Sequence, residues 1–439
     1  MSLVWSIIIE SLSWIELRGL NEDSALIKTV KQLNVDDREQ FEEARHYIYE
    51  TVRRLNALDF LIDMALSPRN MGDLKVGLRS FLRFYTYLVH YGGASLSMAH
   101  DLVAYTRGIL GKNDFEEVKD VPDMIPLLSI PFDEVSPVQR FVYKYFHPSW
   151  YVSYLFNEFG ENKTRNLTRY TEYPDYLRLN TLKAGTSSLD HLFDEGYQLR
   201  TVPELSHTYR ILDGDGLTGT AGYNNGDFII QDKASILVGE LADPKPGDLV
   251  LDVCAAPGIK TSHMAQMMEN TGRIISVDDD KRRLVSWRKI MDQLGVECAE
   301  SIHADATNND KLPKIEADLV TVDPPCTSTG LFHKTPSNKW RLTEQSTETM
   351  AEIQKKILWN SAQRLKDGGS LVYSTCSITV EENEGVVQSL LDRDPSYRLV
   401  EPSIRIGEPG LKGMKEAQRL YPYKHECNGF FVAKLVKGI

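Results

Sequence analysis

The chain has 439 residues, 42% of them hydrophobic and 26% charged, and its formal net charge is −12. This composition is typical of a globular protein and excludes collagen-like, disordered and disulfide-scaffold proteins. The length predicts about two to four domains. The negative net charge argues against a protein that coats nucleic acid through bulk charge, although it allows a local basic groove.

Two further properties narrow the class of protein. No apolar run reaches the roughly 18 residues that a membrane span needs, and the short run at residues 3–9 lacks the basic flank of a signal peptide. The chain has five cysteines, an odd number with no CxxC pair, which is typical of reduced thiols in a cytoplasmic protein. Without CxxC or HExxH motifs, we expect no metal site. Without a membrane span, we expect no membrane partner.

The first third of the sequence has the pattern of amphipathic helices. Apolar residues recur at every third or fourth position over residues 41–65 and again over 74–89. Asp36 followed by Glu39 is similar to a capping box and predicts a helix start just ahead of the first of these runs.

Glycines and prolines interrupt the helical pattern over residues 111–137 and predict a linker, which closes an all-helical domain and linker over residues 1–137. Helical patterning resumes over residues 138–159. The segment YLRLNTLKAG (176–185) then predicts a strand and a turn, followed by turn-rich sequence. We therefore predict a small α/β module over residues 138–230.

Residues 231–439 alternate between strand and helix patterns. The predicted buried strands are 249–253, 274–277, 318–323 and 370–374, and the predicted helices are 260–268, 281–294, 347–365 and 381–391. This alternation predicts a doubly wound, mostly parallel sheet whose ligand lies at the carboxyl ends of the strands. The predicted strands end in chemically useful side chains, which are Asp252, Asp278, Asp323 and Cys376.

The first of these strands leads through DVCAAPGIKT (252–261) into a helix. Its small residues allow a ligand close to the backbone, and the helix start favours an anionic group that Lys260 would neutralise. Asp278 is placed to accept hydrogen bonds from ribose hydroxyls, and Asp305 to accept one from an adenine amino group. Together these features fit S-adenosylmethionine. The alternative is that the aspartates only cap helices.

Two cysteines follow predicted strands. Cys326 lies in DPPCTSTG (323–330) and Cys376 in STCS (374–377). A thiolate that adds to carbon 6 of cytosine makes carbon 5 nucleophilic, which is the covalent activation that methylation at carbon 5 requires. Such a cysteine needs a lowered pKa, and a neighbouring Asp323 would hydrogen-bond N3 and the exocyclic amine of the base. We interpret the other three cysteines, Cys254, Cys298 and Cys427, as inert thiols.

At these motifs the chain resembles RNA cytosine-5 methyltransferases of the RsmB/Nop2/Sun type. The segments DVCAAPGIKT, VDDDKRR, DPPCTSTG, KWR and STCSITVEENE occur in the order of that family. The resemblance implies a Rossmann-type, S-adenosylmethionine-dependent catalytic domain, preceded by a small α/β RNA-recognition-like module and an all-α NusB-like domain. It also implies that Cys376 is the nucleophile, that Cys326 assists product release and that Asp323 contacts the base. The resemblance also implies a set of cofactor-binding residues, which includes the loop that follows the first of the predicted strands. They are Cys254, Ala255, Ala256, Pro257, Gly258, Lys260, Asp278, Arg283, Asp305 and Asp323.

Three residues depart from the family pattern, namely Ile259, Pro324 and Ser328. Pro324 creates a D-P-P sequence that is similar to the motif of amino-group methyltransferases, although Cys326 stands where those enzymes place an aromatic residue. DNA cytosine-5 methyltransferases lack the second thiol, so the pair of cysteines favours RNA over DNA. Two alternatives stay open: an amino-group methyltransferase, and a catalytically silent RNA-binding or ribosome-assembly factor.

The predicted RNA contacts are basic residues near the catalytic loop and in the small module, namely Lys334, Lys339, Arg341, Arg178 and Lys183. The target base must leave its stack to reach a cysteine, so we expect a single-stranded or loop cytosine. The resemblance makes ribosomal RNA the first expectation and transfer RNA the second. We expect the enzyme to be a monomer.

Overall fold

A computed structural model describes residues 2–214 and 216–438 of the chain. The helices are α1 (Ser2–Arg18), α2 (Glu22–Leu33), α3 (Arg38–Arg53), α4 (Leu55–Leu66), α5 (Val76–His90), α6 (Leu96–Ile109), α7 (Lys112–Glu116), α8 (Val121–Met124), α9 (Pro137–Tyr145), α10 (Ser149–Thr168), α11 (Ser187–Asp194), α12 (Ala221–Asn225), α13 (Lys233–Ala242), α14 (Ile259–Met267), α15 (Lys281–Leu294), α16 (Pro336–Lys339), α17 (Glu344–Ala362), α18 (Glu384–Arg393) and α19 (Pro422–His425). The strands are β1 (Tyr176–Leu179), β2 (Gln198–Thr201), β3 (Thr208–Asp213), β4 (Phe228–Ile230), β5 (Leu249–Val253), β6 (Arg273–Asp278), β7 (Ala299–His303), β8 (Ala317–Val322), β9 (Leu365–Thr375), β10 (Tyr397–Leu399), β11 (Glu408–Pro409), β12 (Gln418–Leu420) and β13 (Phe430–Lys437). Across the described residues, no helix combines the length and the apolar character that crossing a membrane requires.

The described chain divides into two compact units. A helical unit contains residues 2–170 together with the segment 332–343, and an α/β unit contains the remaining described residues. The sequence placed the end of the helical domain at residue 137, whereas α9 and α10 also belong to the helical unit. The reason is packing that sequence does not reveal: Asn56 on α4 donates hydrogen bonds to the carbonyls of Val142 (2.8 Å) and His147 (3.2 Å).

The helical unit begins as its sequence pattern predicts. The N-cap of α3 is Asp37 rather than Asp36, and its Oδ1 accepts hydrogen bonds from the backbone N–H groups of Glu39 (2.9 Å) and Gln40 (3.3 Å). The apolar face of α3 packs into the same core as α1, which includes fully buried Ile7 and Ile8. The predicted linker contains the short helices α7 and α8.

The segment 332–343 is part of the helical unit although it lies far along the sequence. The buried carboxylate of Glu22 accepts hydrogen bonds from the backbone N–H (2.6 Å) and the hydroxyl (3.0 Å) of Ser337. The indole of Trp340 donates a hydrogen bond of 2.7 Å to the carbonyl of Val52. These contacts satisfy polar groups that would otherwise be buried at a cost of about 1–3 kcal/mol each.

The α/β unit contains two sheets. The smaller is antiparallel, with the order β2-β3-β1-β4, and its core includes Leu177, Leu179 and Phe228. The larger has the order β11-β12-β13-β9-β8-β5-β6-β7, with β10 paired to β13. Strands β9, β8, β5, β6 and β7, the last of them at the edge of the sheet, are parallel, and helices α13 to α15, α17 and α18 connect or flank them. The four predicted strands are all present, whereas β7 is not among them because three of its five residues are polar and none is buried.

A buried ion pair connects α18 to the antiparallel side of the large sheet. Arg419 on β12 and Glu384 at the start of α18 are both 1% exposed, and Arg419 Nε donates a hydrogen bond of 2.7 Å to Glu384 Oε1. Arg419 Nη1 also donates to the carbonyl of Ile378, at 2.7 Å, in the loop that follows β9. The pair therefore anchors that loop.

We expect the substitution Arg419→Met to lower the free energy of unfolding by about 3–5 kcal/mol, because it leaves the buried Glu384 carboxylate without its counter-charge. Arg405→Met is the matched control, since its partner Glu401 is exposed, and it should cost no more than about 1 kcal/mol. Urea unfolding monitored by circular dichroism measures both values. Equal effects of the two substitutions would contradict a stabilising role for the buried pair.

Candidate functional site

The two cysteines predicted to act together lie at the ends of adjacent parallel strands. Strand β8 ends at Val322 and β9 at Thr375, and the two strands pair in register with Val322 opposite Tyr373. The loops that follow them bring the sulfur atoms of Cys326 and Cys376 to 3.1 Å from each other. Both residues are partly exposed.

A close backbone approach allows this distance between the sulfur atoms. The N–H of Gly330 donates a hydrogen bond of 2.9 Å to the carbonyl of Cys376, and the N–H of Gly429 donates one of 3.1 Å to the carbonyl of Gly330. A Cβ atom at position 330 would lie only 2.0 Å from the Gly429 carbonyl oxygen. Glycine is therefore required at this position for the two cysteine loops to meet.

The surroundings of the two thiols differ in a way that favours a thiolate on Cys376. The hydrogen bond with Cys326 lowers the pKa of Cys376, and the hydrogen bond with Ser328 and the Lys260 ammonium lower it further; burial and the Asp323 carboxylate oppose this shift but do not cancel it. The same hydrogen bond to Cys376, together with burial, raises the pKa of Cys326. Cys376 is consequently the better nucleophile of the two, since the thiolate is the reactive form.

A carboxylate and an ammonium lie beside the cysteines. Lys260 Nζ is 2.5 Å from Asp323 Oδ2, and the hydroxyl of Ser374 donates a hydrogen bond of 3.1 Å to Asp323 Oδ1. Burial disfavours the charged form of Lys260, but the Asp323 carboxylate outweighs it and raises the pKa of the lysine. This contact fixes the orientation of Asp323 and keeps a positive charge near Cys376.

A cleft at the carboxyl ends of β5 and β6 contains four of the predicted cofactor residues. Its lining consists of Cys254, Val277, Asp278, Asp279, Arg283, Ala304, Asp305, Ala306, Thr307, Pro325, Ile353 and Ile357. Three carboxylates on a largely apolar lining are hydrogen-bond acceptors suited to a nucleoside, because ribose hydroxyls and an adenine amino group both donate hydrogen bonds. The residues present therefore fit S-adenosylmethionine.

The aspartates of this cleft are held by backbone groups. Asp278 Oδ2 accepts a hydrogen bond of 3.0 Å from the N–H of Ala256, and Arg283 Nη1 lies 3.4 Å from the same oxygen. Asp305 Oδ1 accepts from the N–H (2.9 Å) and the hydroxyl (2.7 Å) of Thr307, and these bonds lower the pKa of Asp305. Asp279 and Thr307 were not predicted, although the run of three aspartates at 278–280 signals the former.

The other six predicted cofactor residues are not part of the lining of this cleft. Ala255 and Ala256 are buried in a small, separate hydrophobic cluster that also contains Trp287. Gly258 has φ of 108°, a conformation that side chains rarely adopt, and Ile259 follows it as the first residue of α14. Pro257, Lys260 and Asp323 do not line the cleft.

Asp252 was predicted at the rim of the sheet, and this prediction is wrong. It lies one residue before the end of β5, so its side chain points into the interior, where it accepts hydrogen bonds from Thr261 (2.6 Å) and Thr321 (2.9 Å). Burial raises the pKa of Asp252 to about 6.

Burial also contradicts two of the five predicted RNA contacts. Arg178 on β1 is 1% exposed, and its guanidinium donates hydrogen bonds of 2.8 Å to Gln231 and to Ser262. Lys339 is likewise 1% exposed, and its ammonium donates to the carbonyls of Arg53 (2.9 Å) and Phe146 (2.5 Å) within the helical unit. Neither charge is accessible to a phosphate, so both residues are structural.

The other three predicted RNA contacts lie at the surface. Lys334 is exposed. Arg341 is exposed and donates a hydrogen bond of 2.5 Å to the carbonyl of Leu20. Lys183 is exposed, and its ammonium donates to the carbonyls of Asn225 and Gln293. Their contact with RNA stays a prediction.

The substitution Lys339→Gln tests the structural role of this lysine. Glutamine is too short to reach both carbonyls, so we expect the free energy of unfolding to fall by about 1–3 kcal/mol. Lys334→Gln, at an exposed position in the same segment, should change it by no more than about 0.5 kcal/mol. If Lys339→Gln instead weakened RNA binding in a filter assay and left the stability unchanged, the assignment of Lys339 as a structural residue would be wrong.

The chain is similar to known RNA methyltransferases. Residues 240–436 match the family model described as 16S rRNA methyltransferase RsmB/F. The ribosomal RNA small subunit methyltransferase B of Vibrio vulnificus is 30% identical over 304 residues, which cover 67% of each chain. A probable ribosomal RNA small subunit methyltransferase B of Bacillus subtilis is 29% identical, and the match covers 89% of each chain.

A transfer RNA enzyme and two solved structures are also similar. The tRNA (cytosine(72)-C(5))-methyltransferase of Pyrococcus horikoshii is 39% identical over 50% of this chain, and the match spans only 55% of that enzyme. The crystal structure of PH0851 has a TM-score of 0.86 and 26% identity, covering 100% of this chain and 99% of that one. NSun6 from Pyrococcus horikoshii, solved with the cofactor analogue SFG, has a TM-score of 0.60 and 27% identity, covering 66% of this chain and 98% of that one.

The parallel sheet, the nucleoside cleft and these likenesses define a Rossmann-type methyltransferase. More specifically, the chain belongs to the RsmB/F family of S-adenosylmethionine-dependent RNA cytosine-5 methyltransferases. The predicted family, fold class and cofactor are thereby confirmed. The roles of the individual site residues stay predictions.

Proposed function

We propose that this protein transfers a methyl group from S-adenosylmethionine to carbon 5 of a cytosine in RNA, through a covalent bond between Cys376 and carbon 6 of the base. The observation that carries this proposal is the pair of sulfur atoms 3.1 Å apart beside the Lys260–Asp323 contact. A single reactive thiol would be compatible with many other reactions. Two thiols at neighbouring strand ends fit a reaction in which one sulfur attacks the base and the other assists its release.

In the first step, the Cys376 thiolate adds to carbon 6, and the electron pair of the C5–C6 double bond moves to carbon 5. S-adenosylmethionine supplies an electrophilic methyl group when it is bound, and Asp278, Arg283 and Asp305 would hold it. Asp323 accepts a hydrogen bond from the protonated N3 of the ring and stabilises the charge that develops there. Ser374 and Lys260 hold Asp323 in place for this contact.

In the last step, carbon 5 loses its proton to a base, for which a water molecule suffices, the C5–C6 double bond forms again and the sulfur of Cys376 leaves as a thiolate. Cys326 assists this step, because a hydrogen bond from its S–H stabilises the departing thiolate. Without Cys326, elimination slows while addition still proceeds. The covalent intermediate then accumulates.

Ribosomal RNA is the substrate we favour, and transfer RNA is the second choice. Relatives named as ribosomal RNA small subunit methyltransferase B match along most of their length, whereas the match to the tRNA enzyme of Pyrococcus horikoshii spans 55% of that enzyme. We infer that the target cytosine lies in a single-stranded or loop region, since it must leave its stack to reach Cys376. We also propose that the enzyme acts as a monomer in the cytoplasm, with a NusB-like helical domain and a small RNA-recognition-like module.

Nucleoside mass spectrometry after incubation with methyl-labelled S-adenosylmethionine and unmodified total RNA tests the reaction. We expect label in 5-methylcytidine, and separation of ribosomal from transfer RNA then identifies the substrate class. Label in an N-methylated base would contradict the proposal and favour an amino-group methyltransferase. Absence of label from every RNA fraction, including assembling ribosomal particles, would favour a catalytically silent factor.

Substitution of the two cysteines tests the proposed roles separately. Cys376→Ala should abolish turnover, because no nucleophile of comparable reactivity replaces it. Cys326→Ala should leave a covalent protein–RNA adduct that survives a denaturing gel.

Cys298→Ala is the matched control for the loss of a thiol, since Cys298 lies outside the candidate site. It should leave turnover unchanged and give no adduct. Undiminished turnover by Cys326→Ala, with no adduct, would overturn the role assigned to that cysteine.

A further inference from the structure

One fully buried carboxylate lies between the two cysteine loops and has no role in the reaction described so far. Glu382 follows the loop after β9 and is 0% exposed. Its carboxylate accepts hydrogen bonds from five donors, which are Thr327 N (2.8 Å), Thr327 Oγ1 (2.5 Å), Ser377 Oγ (2.7 Å), Thr379 Oγ1 (2.8 Å) and Gln354 Nε2 (3.0 Å).

Two of the residues bonded to Glu382 directly follow the two cysteines. Thr327 comes after Cys326, and Ser377 comes after Cys376. One carboxylate is therefore bonded to both loops at the positions nearest their sulfur atoms. Hydrogen bonds to a buried carboxylate are short and strong, so the loops cannot move apart without leaving that charge unsatisfied.

The charge of Glu382 also acts on the thiol of Cys326. All five hydrogen-bond donors to Glu382 are neutral groups, so none of them cancels its negative charge. After the hydrogen bond to Cys376 and burial, the charge of Glu382 is a further cause that raises the pKa of Cys326. At Cys376 the nearest charges oppose each other, because the Asp323 carboxylate raises the pKa and the Lys260 ammonium lowers it.

We propose that Glu382 is a positioning residue that ties the two cysteine loops together and, through its negative charge, keeps the proton of the pair on Cys326, so that the thiolate forms on Cys376. The inference rests on the proposed two-cysteine reaction. It extends that reaction by assigning a physical cause to the different roles of two chemically identical side chains.

Two substitutions separate the effect of the charge from that of the hydrogen bonds. In Glu382→Gln, the remaining oxygen still accepts from Thr327 N and Gln354, while the new amide faces three hydroxyls that can rotate to accept from it. This variant keeps the loops connected and removes the charge. Glu382→Ala removes both.

Glu240→Gln is the matched control. Glu240 on α13 is 8% exposed, and its carboxylate accepts hydrogen bonds from the backbone N–H (3.1 Å) and the hydroxyl (3.3 Å) of Ser206, which lies outside the cysteine loops. A general loss of stability caused by a buried amide therefore appears in both variants. An effect on the cysteine pair should appear only in Glu382→Gln.

The experiment measures which cysteine ionises first. The full-length protein is treated at pH 7 with less than one equivalent of iodoacetamide, and peptide mass spectrometry gives the ratio of label on Cys376 to label on Cys326. In the wild-type protein we expect most of the label on Cys376. In Glu382→Gln the ratio should shift towards Cys326 by about tenfold, the effect of a one-unit relative change in the two pKa values. Glu240→Gln should keep the wild-type ratio.

Two results would overturn the inference. Label found mainly on Cys326 in the wild-type protein contradicts it whether or not any variant folds. A wild-type ratio in a folded Glu382→Gln variant contradicts the effect of the charge.

Methylation assays on the same preparations separate this inference from the proposed function. We expect Glu382→Gln to lower kcat while KM for RNA stays unchanged, because Glu382 is fully buried. If the wild-type protein forms no 5-methylcytidine but the labelling ratios follow expectation, the proposed function fails and the effect of Glu382 on the cysteine pair stands. If methylation occurs and the ratios do not change, only the role of Glu382 is refuted.

Discussion

The contact between the sulfur atoms of Cys326 and Cys376, 3.1 Å apart, joins two positions that are 50 residues apart in the chain. It depends on the parallel pairing of β8 with β9, because that pairing makes both strands end at the same edge of the sheet. The absence of a side chain at Gly330 then lets the backbones of the two loops meet. The geometry of the candidate site therefore follows from one strand pair and one glycine.

Charges around the pair distinguish the two cysteines. The hydrogen bonds with Cys326 and Ser328 and the Lys260 ammonium lower the pKa of Cys376 against burial and the Asp323 carboxylate, whereas the buried Glu382 contributes to raising the pKa of Cys326. In the account proposed here, this asymmetry makes one sulfur the nucleophile and the other its hydrogen-bond donor. Buried charges are costly, and their position beside reacting groups is consistent with a functional reason for keeping them.

The sequence predicted the sheet and the meeting of the cysteines, because strand periodicity and strand ends are local features of the chain. It did not predict which way a side chain points, or that a side chain is buried by partners far away in the sequence. Asp252 points inward because it precedes the strand end by one residue. Lys339 and Arg178 carry charges that suggest a surface, yet their partners include the carbonyl of Arg53 and the side chain of Ser262, far away in the sequence. The motif that contains a basic residue therefore does not determine whether that residue is buried or exposed.

The central claim is that Cys376 forms the bond to carbon 6 of cytosine. The most direct measurement uses substrate RNA that contains 5-fluorocytidine, since fluorine at carbon 5 leaves no proton to remove and the enzyme remains attached after methyl transfer. Digestion of the trapped complex and peptide mass spectrometry then identify the attached residue. The account predicts that the modified nucleotide is attached to Cys376. Attachment to Cys326, or methyl transfer with no trapped complex, would contradict it.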